Sequence, residues 1–146
     1  MEPRARPDVL FFAEIAAIER LSTLRLERAL PGELTAASLA VLNQLVLAAE
    51  PLAPQGLAQA LQLSRPAMTH TLQRLEGQGL VAITPDARDG RRKQVAITTA
   101  GAAAQRDAAA VARPILAAVR AAFNPSEFEA VLPFLQRLSA WLAANP

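Results

Sequence analysis

The chain has no cysteine and no tyrosine, and only one histidine, one tryptophan and one lysine among 146 residues. Without cysteine there are no disulfides, no thiolate metal ligands and no thiol-based redox switch. Aromatic residues make up only 4%, so a core drawn from the 52% hydrophobic fraction must be mostly Ala, Leu and Val. That composition favours close helix packing and gives no hint of a β-sandwich. No apolar run approaches the roughly 18 residues of a membrane span, so no membrane partner is expected. The N-terminal stretch MEPRARPDVLFFAEIAAIER places basic residues before apolar ones, but Asp8, Glu14 and Glu19 interrupt it. It does not read as a signal peptide, and the expected location is the cytoplasm. The lone His70 has no carboxylate, Ser or second ligand at useful spacing. There is also no phosphate-cradling Gly loop and no pair of catalytic carboxylates. An enzyme, a catalytic residue, a cofactor and a metal are therefore all unexpected.

The net charge is only +2, although the pI is about 10.4. With one Lys and no Tyr or Cys, little titrates between pH 7 and pH 10, so the pI overstates how basic the chain is. The distribution of charge says more. Residues 64–93 hold Arg65, Arg74, Arg88, Arg91, Arg92 and Lys93 against Glu76, Asp86 and Asp89, a local +3 on a remainder of −1. A basic stretch on a near-neutral body points to a polyanion.

The length fits one domain, 1–146. Leu10, Phe11, Ile15, Ile18, Leu21 and Leu24 recur at three- and four-residue spacing, which predicts a helix over 8–30 bounded by Pro7 and Pro31-Gly32. Its apolar face is wide enough for more than one neighbour. Thr35 is placed to cap a second helix reaching about Ala49, with Leu39, Leu42, Leu45, Val46 and Ala49 on the buried side. Pro54 suits the first turn of a short helix to Leu61. Gln62-Leu63 then leads tightly into Ser64, the N-cap of a fourth helix with Pro66 in its first turn. Two helices joined so closely match a helix-turn-helix. At about 100° per residue, Met68, Leu72, Leu75 and Gly79 share the inner face of the fourth helix. Pro66, Thr69, His70, Gln73 and Gly77 fall opposite, and the helix should end near Gly77–Gly79.

Val81 and Ile83 alternate, as do Val95 and Ile97, which predicts two strands. The turn formers of 85–90 make them a hairpin with its tip near 86–91. Thr98 or Thr99 caps a long Ala-rich helix from about Ala100 to Ala122, where Pro114 should kink or break it. Asn124-Pro125-Ser126 restarts a last helix to about Ala144, carrying Phe128, Val131, Leu135, Leu138 and Trp141 on one face, with Pro133 a further bend. The fold class is mainly α with a small β-hairpin (α+β).

The outward side chains of the fourth helix are small or planar hydrogen-bonding groups: Ser64, Thr69, His70 and Gln73, flanked by Arg65 and Arg74. DNA major-groove edges and phosphates take such groups. A polar face turned to water is the plain alternative. The hairpin tip puts Arg88, Arg91, Arg92 and Lys93 within six positions. Asp89 and Arg91 can pair across the turn, and Arg on a narrow hairpin can enter a minor groove. An ordinary solvated turn is the alternative. Adjacency to the candidate recognition helix favours DNA. Met68, Phe11, Phe12, Phe123, Phe128, Phe134 and Trp141 read as core or subunit interface.

The stretch LAQALQLSRPAMTHTLQRLEGQGLVAITPDARDGRRKQVAITTAG resembles the winged helix-turn-helix of the MarR (multiple antibiotic resistance regulator) transcription factors. The family's Gly-Leu-Val-like strand falls at Gly79-Leu80-Val81. Its Asp-x-Arg-Asp-x-Arg wing falls at Asp86, Arg88, Asp89 and Arg91, and its closing motif at Val95, Ile97, Thr98 and Gly101. Gly90 stands where the family is often basic, and Ala87 where Pro is common. The resemblance implies a homodimeric, ligand-responsive regulator of transcription, with repression the expected sign, on a pseudo-palindromic operator in double-stranded DNA. It implies a DNA-binding lobe over 35–99, and a dimerisation lobe from 8–30 and 100–144. Asp89 would structure the wing and orient Arg91 into the minor groove. Ser64, Arg65, Pro66, Thr69, His70, Gln73 and Arg74 would face the major groove and its phosphates, with Arg88 and Arg92 beside them on the wing. A small aromatic acid is the implied effector class, and the absence of Cys excludes the family's oxidation-sensing branch. The alternative is a winged-helix protein–protein interaction module that does not bind DNA.

Overall fold

The computed structural model describes residues 6–146. The first five, which open the stretch weighed against a signal peptide, lie outside the described residues. Helices α1 (Pro7–Ala29), α2 (Ala36–Ala48), α3 (Pro54–Leu61) and α4 (Arg65–Gly77) precede strands β1 (Val81–Pro85) and β2 (Lys93–Ile97). Helices α5 (Thr99–Ala122) and α6 (Pro125–Ala144) follow. The chain clusters into two compact units, one running to Ala112 and the other Arg113–Pro146. It is a winged helix-turn-helix flanked by long helices, as the sequence predicts.

Caps explain most of the boundaries. The Ser38 N–H donates to Thr35 Oγ1 at 3.1 Å, and the Ala67 N–H to Ser64 Oγ at 3.2 Å, so each hydroxyl satisfies an amide the helix leaves free. Of the two candidate threonines, Thr98 is the cap and Thr99 the first residue of α5: Thr98 Oγ1 accepts from Gly101 N–H at 3.0 Å and donates to the Gly79 carbonyl at 2.7 Å. Helix α4 closes by a Schellman arrangement, with Leu80 N–H on Leu75 O at 3.0 Å and Gly79 N–H on Glu76 O at 2.9 Å. Gly79 sits at φ 72, so it lies past the helix end rather than on its inner face. Helix α5 runs unbroken through Pro114 and α6 through Pro133. A proline inside a helix removes one backbone hydrogen bond, and the neighbouring turns hold the helical path here.

The core of the first unit lies between α2, α3, α4 and the hairpin. Val41, Leu42, Leu57, Leu75 and Val95 are wholly buried, and Met68 is 2% exposed. One predicted face is wrong in part. Val46 is 43% exposed, and Ala49 is exposed at φ 55 just past the end of α2. Val46 has nearly the azimuth of buried Leu39, but helical periodicity does not show where a helix outruns its neighbours. Val41 is buried in its place.

The strands pair antiparallel with Val81 opposite Ile97 and Ile83 opposite Val95. Leu52 adds a bridge on the far side of β2. Its N–H donates to Val95 O at 3.0 Å, and Val95 N–H returns to Leu52 O at 2.8 Å. This ties the wing to the segment between α2 and α3, so the hairpin is not a free ribbon.

Helix α1 has no buried residue, and Val9, Leu10, Phe12, Ile15, Ile18, Leu21 and Leu24 are exposed along it. In the second unit α6 likewise exposes Phe128, Val131, Leu132, Phe134, Trp141 and Leu142. Phe123 and Phe128 meet edge to face at 6.3 Å, and the Arg137 guanidinium lies 5.9 Å from the Phe134 ring centre.

Candidate nucleic-acid interface

The turn of the helix-turn-helix passes through Gln62 at φ 52, a left-handed conformation that costs a non-glycine residue about 1 kcal/mol. Leu63 N–H then caps Ala58 O at 3.0 Å, and Ser64 starts α4. Burial of Met68, Thr71, Leu72 and Leu75 decides which face of α4 turns inward. Thr71 was not foreseen as an inner residue; its hydroxyl donates back to Ala67 O at 2.9 Å and so brings no unpaired polar group into the core. With that face inward, Ser64, Arg65, Pro66, Thr69, His70, Gln73 and Arg74 are all exposed.

A groove of about 990 Å³ runs between α3, α4 and the wing. Arg65, Thr69 and Gln73 border it on the α4 side, and Arg91, Arg92 and Lys93 on the wing side. Ser64, Pro66, His70, Arg74 and Arg88 do not line it. Arg74 points to another neighbour, where its Nη2 donates to the Glu33 carbonyl at 3.3 Å. Gln55 and Gln59 of α3, and Gln62 in the turn after it, also line the groove and were missed by the sequence reading. Their signal was present: the outer face of α3 carries glutamine and no charge.

Two aspartates build the wing tip. Asp86 Oδ1 accepts from Arg88 N–H at 3.0 Å, and Asp86 N–H donates to Arg92 O at 2.8 Å. Asp89 Oδ1 accepts from Arg91 N–H at 3.1 Å. The Asp89 partner expected from the sequence was the Arg91 side chain. The carboxylate instead takes the Arg91 backbone amide, and its other oxygen lies 3.8 Å from Arg92 Nε. A carboxylate two residues earlier closes an Asx-type turn on the amide, which needs no long side chain to fold back. That contact leaves the Arg91 guanidinium outside every ion pair among the described residues. The Arg92 pair, with side chains 77% and 50% exposed, is too solvated to hold much.

No group of three or more His, Cys, Asp or Glu among the described residues could hold a metal ion. No helix among them is long and apolar enough to cross a membrane.

A capped helix with a planar polar face, set beside a basic two-stranded wing, defines a winged-helix fold of the DNA-binding kind. Residues 33–92 match the model of the MarR family. Solved structures agree over nearly the whole length. A MarR family transcription regulator shares 27% identity at TM-score 0.77, with 95% of each chain covered. A single-residue mutant of MarR from E. coli, complexed with operator DNA, shares 24% at TM-score 0.81, covering 89% of this chain and 94% of that one. BpsR of Bordetella bronchiseptica, whose DNA binding is regulated by 6-hydroxynicotinic acid, shares 20% at TM-score 0.81, covering 94% and 98%. No curated protein matches the chain. The fold is thus that of the MarR-family transcriptional regulators.

Proposed function

We propose that the protein is a homodimeric repressor that binds a pseudo-palindromic operator in double-stranded DNA and is released by a small aromatic acid. The observation that carries this reading is the groove between α4 and the wing. Thr69 and Gln73 stand on one wall and Arg91, Arg92 and Lys93 on the other. Thr69, His70 and Gln73 read base edges in the major groove, while Ser64, Arg65 and Pro66 seat the helix start against phosphate. Arg91 enters the minor groove, where negative potential concentrates, with Asp89 shaping the turn beneath it and Arg88 and Arg92 on the adjoining backbone. The exposed apolar residues of α1 and of α6 are dimer surface, since side chains such as Ile18 (61% exposed) and Trp141 (61% exposed) would otherwise stand in water. Operator DNA on one similar structure and the regulation of another's DNA binding by 6-hydroxynicotinic acid support the DNA and effector assignments. The reading places the protein in the cytoplasm.

Selection of bound sequences from random duplex DNA tests the proposal, repeated with hydroxybenzoates present. The expected result is an enriched motif with two inverted half-sites, lost when an effector is added. No enriched sequence would overturn the DNA reading and favour a protein–protein module.

A further inference from the structure

The two arginines flanking the polar face of α4 have different surroundings. Nine residues separate Arg65 from Arg74, which at about 100° per residue puts them roughly 180° apart around the helix. Arg65 borders the groove facing the wing. Arg74 is on the opposite rim, and donates from Nη2 to the Glu33 carbonyl at 3.3 Å. Among the described residues this is the one hydrogen bond from a side chain of α4 to a residue outside that helix.

The acceptor is well anchored. Glu33 lies between Leu30 and Leu34, which are 7% and 9% exposed in the core. Just beyond it, the Glu27 carboxylate of α1 accepts from Ala36 N–H at 2.9 Å and holds the first turn of α2. Thr35 caps that same turn. The carbonyl facing Arg74 is therefore fixed from both sides.

We propose that Arg74 is a positioning residue: it sets the roll of α4 by tethering its rim to the α1–α2 connection, rather than neutralising a phosphate. The inference rests on the DNA-binding reading above. The inner face of α4 is held by apolar side chains, and such contacts are non-directional. They resist withdrawal of the helix better than rotation about its axis. A roll of about 10° moves a side-chain tip 5–6 Å from the axis by roughly 1 Å. That is enough to spoil a bidentate contact from Gln73, because hydrogen bonds weaken steeply with angle. A directional bond at the rim supplies what the apolar face lacks. Guanidinium has five donors, so phosphate neutralisation is the competing role for Arg74.

The test compares Arg74→Met with Arg65→Met and the parent chain, each with its active fraction titrated. Arg74→Met keeps most of the aliphatic stem and removes the charge and the donors. The probes are the duplex that the parent enriches from a random pool and a scrambled duplex of equal length, across a salt series. Arg74→Met should weaken the enriched duplex roughly five- to tenfold, the effect of misaligning the Gln73 base contact. Its affinity for the scrambled duplex and its salt slope should match the parent. Arg65→Met should lower the slope of log K against log salt by about 0.9 per contact removed. Equal weakening of both duplexes by Arg74→Met, with a smaller slope, would make Arg74 a phosphate contact and overturn the inference. So would unchanged affinity per active molecule, whether or not the thermal midpoint falls. If the parent enriches no duplex, the DNA reading itself fails, a result distinct from either of these.

Discussion

Replacing Gly101 by alanine should destabilise the fold by about 2 kcal/mol, a value obtained from three effects. Gly101 is buried in the first turn of α5. A Cβ there would fall on the Leu80 carbonyl oxygen, with Ile97 Cγ1 at 2.9 Å. The carbonyl cannot simply swing aside, because it accepts Thr98 N–H at 3.1 Å where the end of α4 meets the start of α5. Overpacking of this kind costs about 1–3 kcal/mol. Losing the Thr98 bond adds about 1 kcal/mol. Alanine returns at most about 1 kcal/mol of helix propensity, less in a first turn. For a chain of 146 residues, about 2 kcal/mol corresponds to a Tm lower by roughly 4–8 °C. Thermal unfolding followed by circular dichroism measures it, at equal protein concentration because association would shift the midpoint. A Tm equal to or above the parent's would refute the argument, since it would mean that the Leu80 carbonyl can move at no cost.

Arg91→Ala should weaken binding to the enriched duplex and flatten its salt dependence while leaving the fold intact, as gel shift and circular dichroism together would show. Asp89→Ala removes an exposed turn contact, so Tm should fall by no more than a few degrees. Affinity for the same duplex should fall with it, and an unchanged affinity would separate Asp89 from the function of the wing. Leu57→Ala, at a wholly buried site, should cost about 2–5 kcal/mol in chemical denaturation with no change in base preference. Gln73→Ala or His70→Ala should relax preference at one position of each half-site by about 1–3 kcal/mol, read by competition with single-base variants.

Much of this protein is legible in the chain because its signals are local. A hydroxyl before a helix, a proline in a first turn, alternation in a strand and glycine at a left-handed position act over a few residues. Thr35, Ser64 and the 81–97 hairpin could therefore be read directly. The ordered wing motif carried the family resemblance for the same reason. Its charges lie within one short stretch.

Other features depend on elements distant in sequence. Whether Val46 is covered depends on how far its neighbours extend. The bridge from Leu52 to Val95 joins residues that no turn connects. Arg74 and Glu33 are 41 residues apart, and only the packing of α4 brings them together. The wing shows both limits. That Asp89 and Arg91 belong to one turn is written in the sequence. That the carboxylate takes the Arg91 amide and leaves the guanidinium without an ion pair among the described residues is a matter of backbone conformation, decided once β1 and β2 close the loop.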